Sequence, residues 1–130
     1  DGGIAYRVGM TESRTPITTA AVACWFNAGQ YDNPIALKAL RFCKERIGTG
    51  GDHNATWGHW FYTHLYMSQI MYLAGPEDWD GYYPKLRDHL LELQNDDGSW
   101  DGDSVGRVYG TAVALIILQM PYNYLPIMQR

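Results

Sequence analysis

Apolar positions recur along the chain at helical rather than strand spacing and fall into five segments. The first, about Pro16–Ala28, is apolar on nearly every side (Ile17, Ala20, Ala21, Val22, Ala23, Cys24, Trp25, Phe26), the pattern of a helix enclosed by neighbours. Thr15 stands before a proline suited to a first turn and is the expected N-cap, with Gly29 the expected stop. The second, about Pro34–Ile47, is capped by Asn33 and sets Leu37, Leu40, Cys43 and Ile47 on one face, away from Lys38, Arg41, Lys44 and Glu45. A largely apolar third segment, His59–Leu73, ends at Gly75. The fourth, about Tyr82–Leu93, is amphipathic through Leu86, Leu90 and Leu93, with the acidic Asp78-Trp79-Asp80 ahead of it on the side that suits a helix dipole. The fifth, Val108–Met120, is apolar again and stops at Pro121. The predicted class is all-α.

An offset of 46 residues sets Ala28-Gly29 over Ala74-Gly75, Leu40 over Leu86 and Ile47 over Leu93. It also stacks Thr19, Leu65 and Thr111, and Ala21, Met67 and Val113. A period of this size suits a helix–turn–helix repeat. The units are about 1–48, 49–94 and 95–130, or about two and a half hairpins. Connections from amphipathic to apolar helices are long and rich in Gly and Asp (Gly48–Gly58 and Asn95–Arg107), whereas the others are short. Elaborate loops therefore gather at one end, where function is expected.

Composition narrows the classes. Hydrophobic residues make up 46% and charged ones 18%, below the roughly 25% of an average protein, with a net charge of −4. Disorder is excluded by this balance. Scattered Lys and Arg in an acidic chain argue against a nucleic-acid partner. The longest apolar run, Ala112–Leu118, is far short of the roughly 18 residues of a membrane span. Cys24 and Cys43 are out of step for a disulfide and are expected to be small buried side chains. The opening Asp1-Gly2-Gly3, without Met, is what a processed or excised segment would show.

The sharpest local signal is Gln94-Asn95-Asp96-Asp97-Gly98-Ser99-Trp100. Gln94 is placed to bond open carbonyls at its helix end, Gly98 to supply a positive φ, and Trp100 to fold back on the helix. This Gln-x-x-x-Gly-x-Trp run resembles the QW motif of squalene and terpene cyclases. Asp97–Trp100 with Gly106-Arg107-Val108-Tyr109-Gly110-Thr111 resembles the DGSW…YGT stretch of squalene and oxidosqualene cyclases. Asp1-Gly2-Gly3-Ile4-Ala5-Tyr6 looks like the tail of a preceding copy, and the closing 121–127 resembles the end of bacterial cyclase-like proteins. The resemblance implies a partial α/α-toroid of prenyltransferase/squalene-oxidase repeats, inner and outer helices alternating around a ring, with Gln94, Gly98 and Trp100 as its structural motif.

The chain departs from that family where the chemistry would be. Cyclases of this type protonate their substrate with a DxDD motif followed by Thr-Ala. The matching places read Thr15-Pro16-Ile17-Thr18-Thr19-Ala20 and Arg107-Val108-Tyr109-Gly110-Thr111-Ala112, without a carboxylate. Asp101-Gly102-Asp103-Ser104 reads as a turn and capping cluster. Where protein prenyltransferases hold zinc with Asp and Cys, this chain has Ala20, Ala21 and Val22; His53, His59, His64 and His89 lack metal spacing. Asp52 with Asp103 is a weak carbohydrate-processing alternative. No catalytic residue, metal or cofactor is expected.

An aromatic surface remains. His59, Tyr62 and Tyr66 fall at i, i+3 and i+7, continued by Gln69; Trp57 and Trp60 precede or begin that helix. Tyr6, Arg7, Arg107 and Tyr109 take comparable positions in the flanking units. These residues read either as helix packing or as the wall of a pocket for an isoprenoid or other apolar small molecule. The expected function is such a wall in a cyclase-like protein; the rival is a non-catalytic ligand-binding or protein-interaction module on the same scaffold. At 46 residues each, 130 residues make about 2.8 units, fewer than a closed ring holds. Apolar inner helices on an open arc predict a homodimer or association with the missing part of the toroid.

Overall fold

Five helices form the regular structure of residues 1–48 and 56–124, the part of the chain this computed structural model describes: α1 (Thr15–Asn27), α2 (Pro34–Arg46), α3 (Trp60–Ala74), α4 (Pro76–Glu92) and α5 (Arg107–Gln119). A 3₁₀ turn over Met120–Tyr122 follows α5. Among the described residues the only extended pairing is a single Ala5–Ser13 bridge, and no helix is long and apolar enough to cross a membrane. The closing motif from Leu125 onward lies outside the described residues.

Helix α3 packs against α1, α4 and α5; α2 covers α1, and α4 also meets α5. Burial follows this order. Ten of the fifteen residues of α3 are buried, against three of the seventeen of α4. Val22 and Phe26 of α1, Met67, Ile70 and Leu73 of α3, Leu86 and Leu90 of α4 and Ile117 of α5 form the centre of one core. Lys44 of α2 pairs with Asp78 at the start of α4 on the surface.

Several boundaries differ from the sequence expectation. Arg14, not Thr15, is the N-cap of α1; Thr15 is already helical and buried, because a proline fits anywhere in a first turn whose N–H groups are unpaired. Asn33 caps α2 as expected, accepting from Ile35 N–H at 2.9 Å. Helix α4 starts at Pro76, six residues earlier than Tyr82, with Glu77 and Asp78 in its first turn. Pro84 therefore lies inside the helix, where the carbonyl of exposed Asp80 that it leaves free can be hydrated. Leu37 is 44% exposed and Leu93 also faces solvent; the buried stripe of α2 runs through Ala36, Ala39, Leu40 and Cys43. Cys24 is exposed, since α1 is enclosed by α2 and α3 on only part of its circumference. Cys43 is buried, which pushes its thiol up to about 12.

The 94–106 connection is built as a cap on two helices. Trp100 is buried and its indole N–H donates to the Leu90 carbonyl at 2.7 Å, closing the end of α4. Gln94 instead bridges the loop, its amide donating to the Gly98 carbonyl at 3.0 Å, because the indole already holds the helix carbonyl. Gly98 has φ +83°. A side chain at Gly110 would place its Cβ 2.5 Å from the Trp100 carbonyl oxygen and the Gly102 nitrogen, so loop and helix meet backbone to backbone. The opening residues use the same device. Gly3 N–H donates to Asp1 Oδ1, as Ser99 N–H does to Asp97 Oδ1, each at 3.0 Å. Ile4 N–H then donates to Thr18 Oγ1 of α1 at 2.9 Å, and Trp100 N–H to Thr111 Oγ1 of α5 at 3.1 Å.

One polar contact crosses the core. His64 Nδ1 lies 2.7 Å from the Tyr82 hydroxyl, with the His64 ring 4.3 Å from that of Trp60. Burial, with a smaller effect of His89, lowers His64 to about 3, and burial raises Tyr82. In the unfolded chain His64 takes up a proton near 6.5, so between that pH and about 3 acidification favours unfolding; above it the group has no effect. The slope from this histidine is at most about 1.4 kcal/mol per pH unit. Urea midpoints measured from pH 7.5 to 4 are expected to fall less steeply in His64→Gln, and equal slopes would refute the assignment.

Candidate functional site

Local backbone geometry brings aromatic side chains to the start of α1 and α3. Arg14 N–H donates to the Ile4 carbonyl at 2.9 Å, which folds the 5–13 loop carrying Tyr6 back against α1. Ahead of α3, Trp57 and Gly58 both adopt positive φ (54° and 72°), and His59 N–H closes the turn on the Thr56 carbonyl. A left-handed tryptophan is costly and persists only when its surroundings hold it. Here the indole is held over the Arg14 guanidinium, 4.4 Å from its ring centroid. Tyr6 lies near the same guanidinium at 5.4 Å.

These residues enclose a cavity of about 290 Å³ lined by Tyr6, Arg14, Pro16, Ile17, Trp57, His59 and Tyr62. Four sequence-expected residues thus meet at one place: Tyr6, Trp57, His59 and Tyr62. Tyr66 stands behind them, its ring edge-on to Tyr62 at 4.9 Å. Burial first, then Tyr66, raises the Tyr62 hydroxyl. Tyr109 of α5 continues the row, pushed up to about 12 by burial and by Asp103, Tyr62 and Tyr66. Arg7 reaches the outside of the Tyr6 ring at 5.5 Å without lining the cavity.

Other expected residues lie elsewhere. Trp60 is in the core against Phe61, His64 and His89. Arg107 spans the 94–106 loop, pairing with Asp101 at 2.9 Å and Asp97 at 3.1 Å. Hydrogen bonds from Ser99 are the main reason that Asp97 titrates low, with Arg107 adding to them. Gln94, Gly98 and Trp100 form the loop cap described above, Gln69 is buried, and Asp52 and His53 lie outside the described residues. Among the described residues no group of three His, Cys, Asp or Glu is arranged to hold a metal ion.

Arg14, Pro16 and Ile17 were not singled out by the sequence. The sequence carried no signal for them, since Thr15 was the expected N-cap; in the structure Arg14 and His59 are the N-caps of α1 and α3, and neither side chain caps its own helix. Both are therefore free to face the space between the two helix starts. Among the described residues Arg14 has no ion-pair partner, and its Nε is buried without a hydrogen-bond acceptor. The site thus combines an apolar floor, three aromatic rings, an imidazole and one guanidinium.

No family model matches the chain, and no curated protein or solved structure matches it.

Asp103 performs an identifiable structural task beside this site. With φ +48° it turns its carboxylate onto the start of α3, accepting from Phe61 N–H at 3.1 and 3.3 Å. Asp103→Ala is expected to cost about 1 kcal/mol of stability, as loss of a helix cap does, whereas Asp103→Asn keeps the acceptor and most of the stability. Denaturant titration of the two variants distinguishes them; equal losses would mean that the charge, not the cap, matters.

Proposed function

We propose that this chain forms part of the wall of an apolar-ligand site in a squalene- or terpene-cyclase-like array of helical hairpins, and that it binds the ligand without supplying a catalytic acid. The observation that carries this reading is the cavity between α1 and α3, whose walls are Tyr6, Trp57, Tyr62, Pro16 and Ile17. Two features support the repeat architecture: apolar and amphipathic helices alternate, and the Asp-Gly turn recurs ahead of both α1 and α5.

The cavity sets limits on its ligand. At about 290 Å³ and open to solvent, it lies at the small end of ligand pockets. That suits a short isoprenoid or part of a longer chain. The faces of Tyr6 and Trp57 already carry the Arg14 cation, so these rings serve packing and binding rather than stabilisation of a carbocation.

Geraniol and octan-1-ol are expected to bind saturably, read by tryptophan fluorescence and calorimetry. Tyr62→Ala should weaken both about tenfold, equivalent to about 1.4 kcal/mol. No saturable binding of either alcohol would overturn the proposal.

A second reading, association through the inner helices, is favoured by α5. Val108 is 89% and Leu115 53% exposed, one and two turns apart on a side with exposed Ala112 between them. Such a stripe on α5 suits a second copy or a further helix of the same array. Light scattering of the chain is expected to show a dimer that Val108→Lys converts to monomer; a monomer at high concentration would refute this association.

A further inference from the structure

Among the described residues, Arg14 is the one guanidinium that lines the cavity between α1 and α3, beside the imidazole of His59. Arg46, Arg87 and Arg107 each meet a carboxylate on the surface, and Arg7 and Arg41, which no described carboxylate pairs, are exposed to water. Arg14 is half-buried, yet no described carboxylate pairs with it, although acidic side chains outnumber basic ones by 14 to 10. Its Nε is buried with no acceptor. A desolvated charge without a counter-ion is costly. Trp57 and Tyr6 offset part of that cost through their ring faces, but a ring face cannot accept the in-plane hydrogen bonds of a guanidinium. Nε is shut off from the cavity by the protein around it, so the two terminal amino groups of the guanidinium are the edge that a planar acceptor would meet.

We propose that this cavity is a carboxylate site, binding a short apolar chain that ends in one carboxylate, with Arg14 as its counter-ion. The proposal rests on the reading of the cavity as an apolar-ligand site and adds the head group. A single fixed cation matches a single negative charge. A phosphate monoester, at about −1.5 to −2, would leave charge uncompensated in a largely apolar pocket. The starts of α1 and α3 flank the cavity and add partial positive charge on the same side. Pro16, Ile17 and Tyr62 receive the apolar chain.

The test compares octanoate, octan-1-ol and octyl phosphate by calorimetry at pH 7 and low salt. Octanoate is expected to bind at least tenfold more tightly than octan-1-ol, and raised salt should shrink the difference. Arg14→Gln should bring the octanoate-to-octanol ratio close to one, Arg14→Lys should recover only part of it, and Arg87→Gln should leave it intact. Equal binding of octanoate and octan-1-ol overturns the carboxylate site while the apolar-ligand reading stands. Binding of neither overturns both. Octyl phosphate binding more tightly than octanoate, or an unchanged ratio in Arg14→Gln, also refutes the assignment.

Discussion

Helix α3 is apolar around most of its circumference, so it has to be covered on three sides, and α1, α4 and α5 provide the cover. Burial of ten of its residues brings along polar groups that need internal partners. His64 finds Tyr82 of α4, and Ser68 donates to the His64 carbonyl. The His64–Tyr82 contact sets the register between α3 and α4 more narrowly than apolar packing does, because a displaced partner would leave a buried polar group unsatisfied. Helices with less to bury, such as α2 and α4, take the outside and carry the charge.

Helix ends are settled by the long connections. Trp100 closes α4, Asp103 caps α3, and the Gly102–Gly110 approach seats the loop on α5. One stretch of about a dozen residues thereby ties three helices together at one end of the molecule. The cavity opens at the starts of α1 and α3, where side chains from the 5–13 loop and the Trp57-Gly58 turn reach over the helix starts. Four of its seven lining residues, Tyr6, Arg14, Trp57 and His59, lie in the loops and caps ahead of the helices, where the lining can change without disturbing the core.

Two arginines show how context divides similar side chains. Arg107 stands on the surface between Asp97 and Asp101, where solvent screens the pairs and their contribution is small. Arg14 has aromatic rings in place of carboxylates. Both stand at the start of an apolar helix and sequence pattern does not separate them. What separates them is the partner that the fold sets beside each.

The helical class, five helices and most of their ends were legible in the sequence, because apolar spacing, Asn33, Gly29 and Gly98 act within a turn or two of chain. The early start of α4 was less so, since Pro76 and the acids after it signal a helix start only once Pro84 is accepted inside the helix. Aromatic candidates were legible as a group, but not their division between cavity and core. Trp60 went inward and Trp57 outward although only two residues separate them, because the left-handed turn at Trp57-Gly58 breaks the helical register between them. Arg14 could not have been chosen from sequence at all: its rings come from positions 6 and 57, and only packing of α1 against α3 brings them together. Local periodicity determines which helices form; which side chain meets which charge depends on contacts between residues far apart in the chain, and those exist only in the folded molecule.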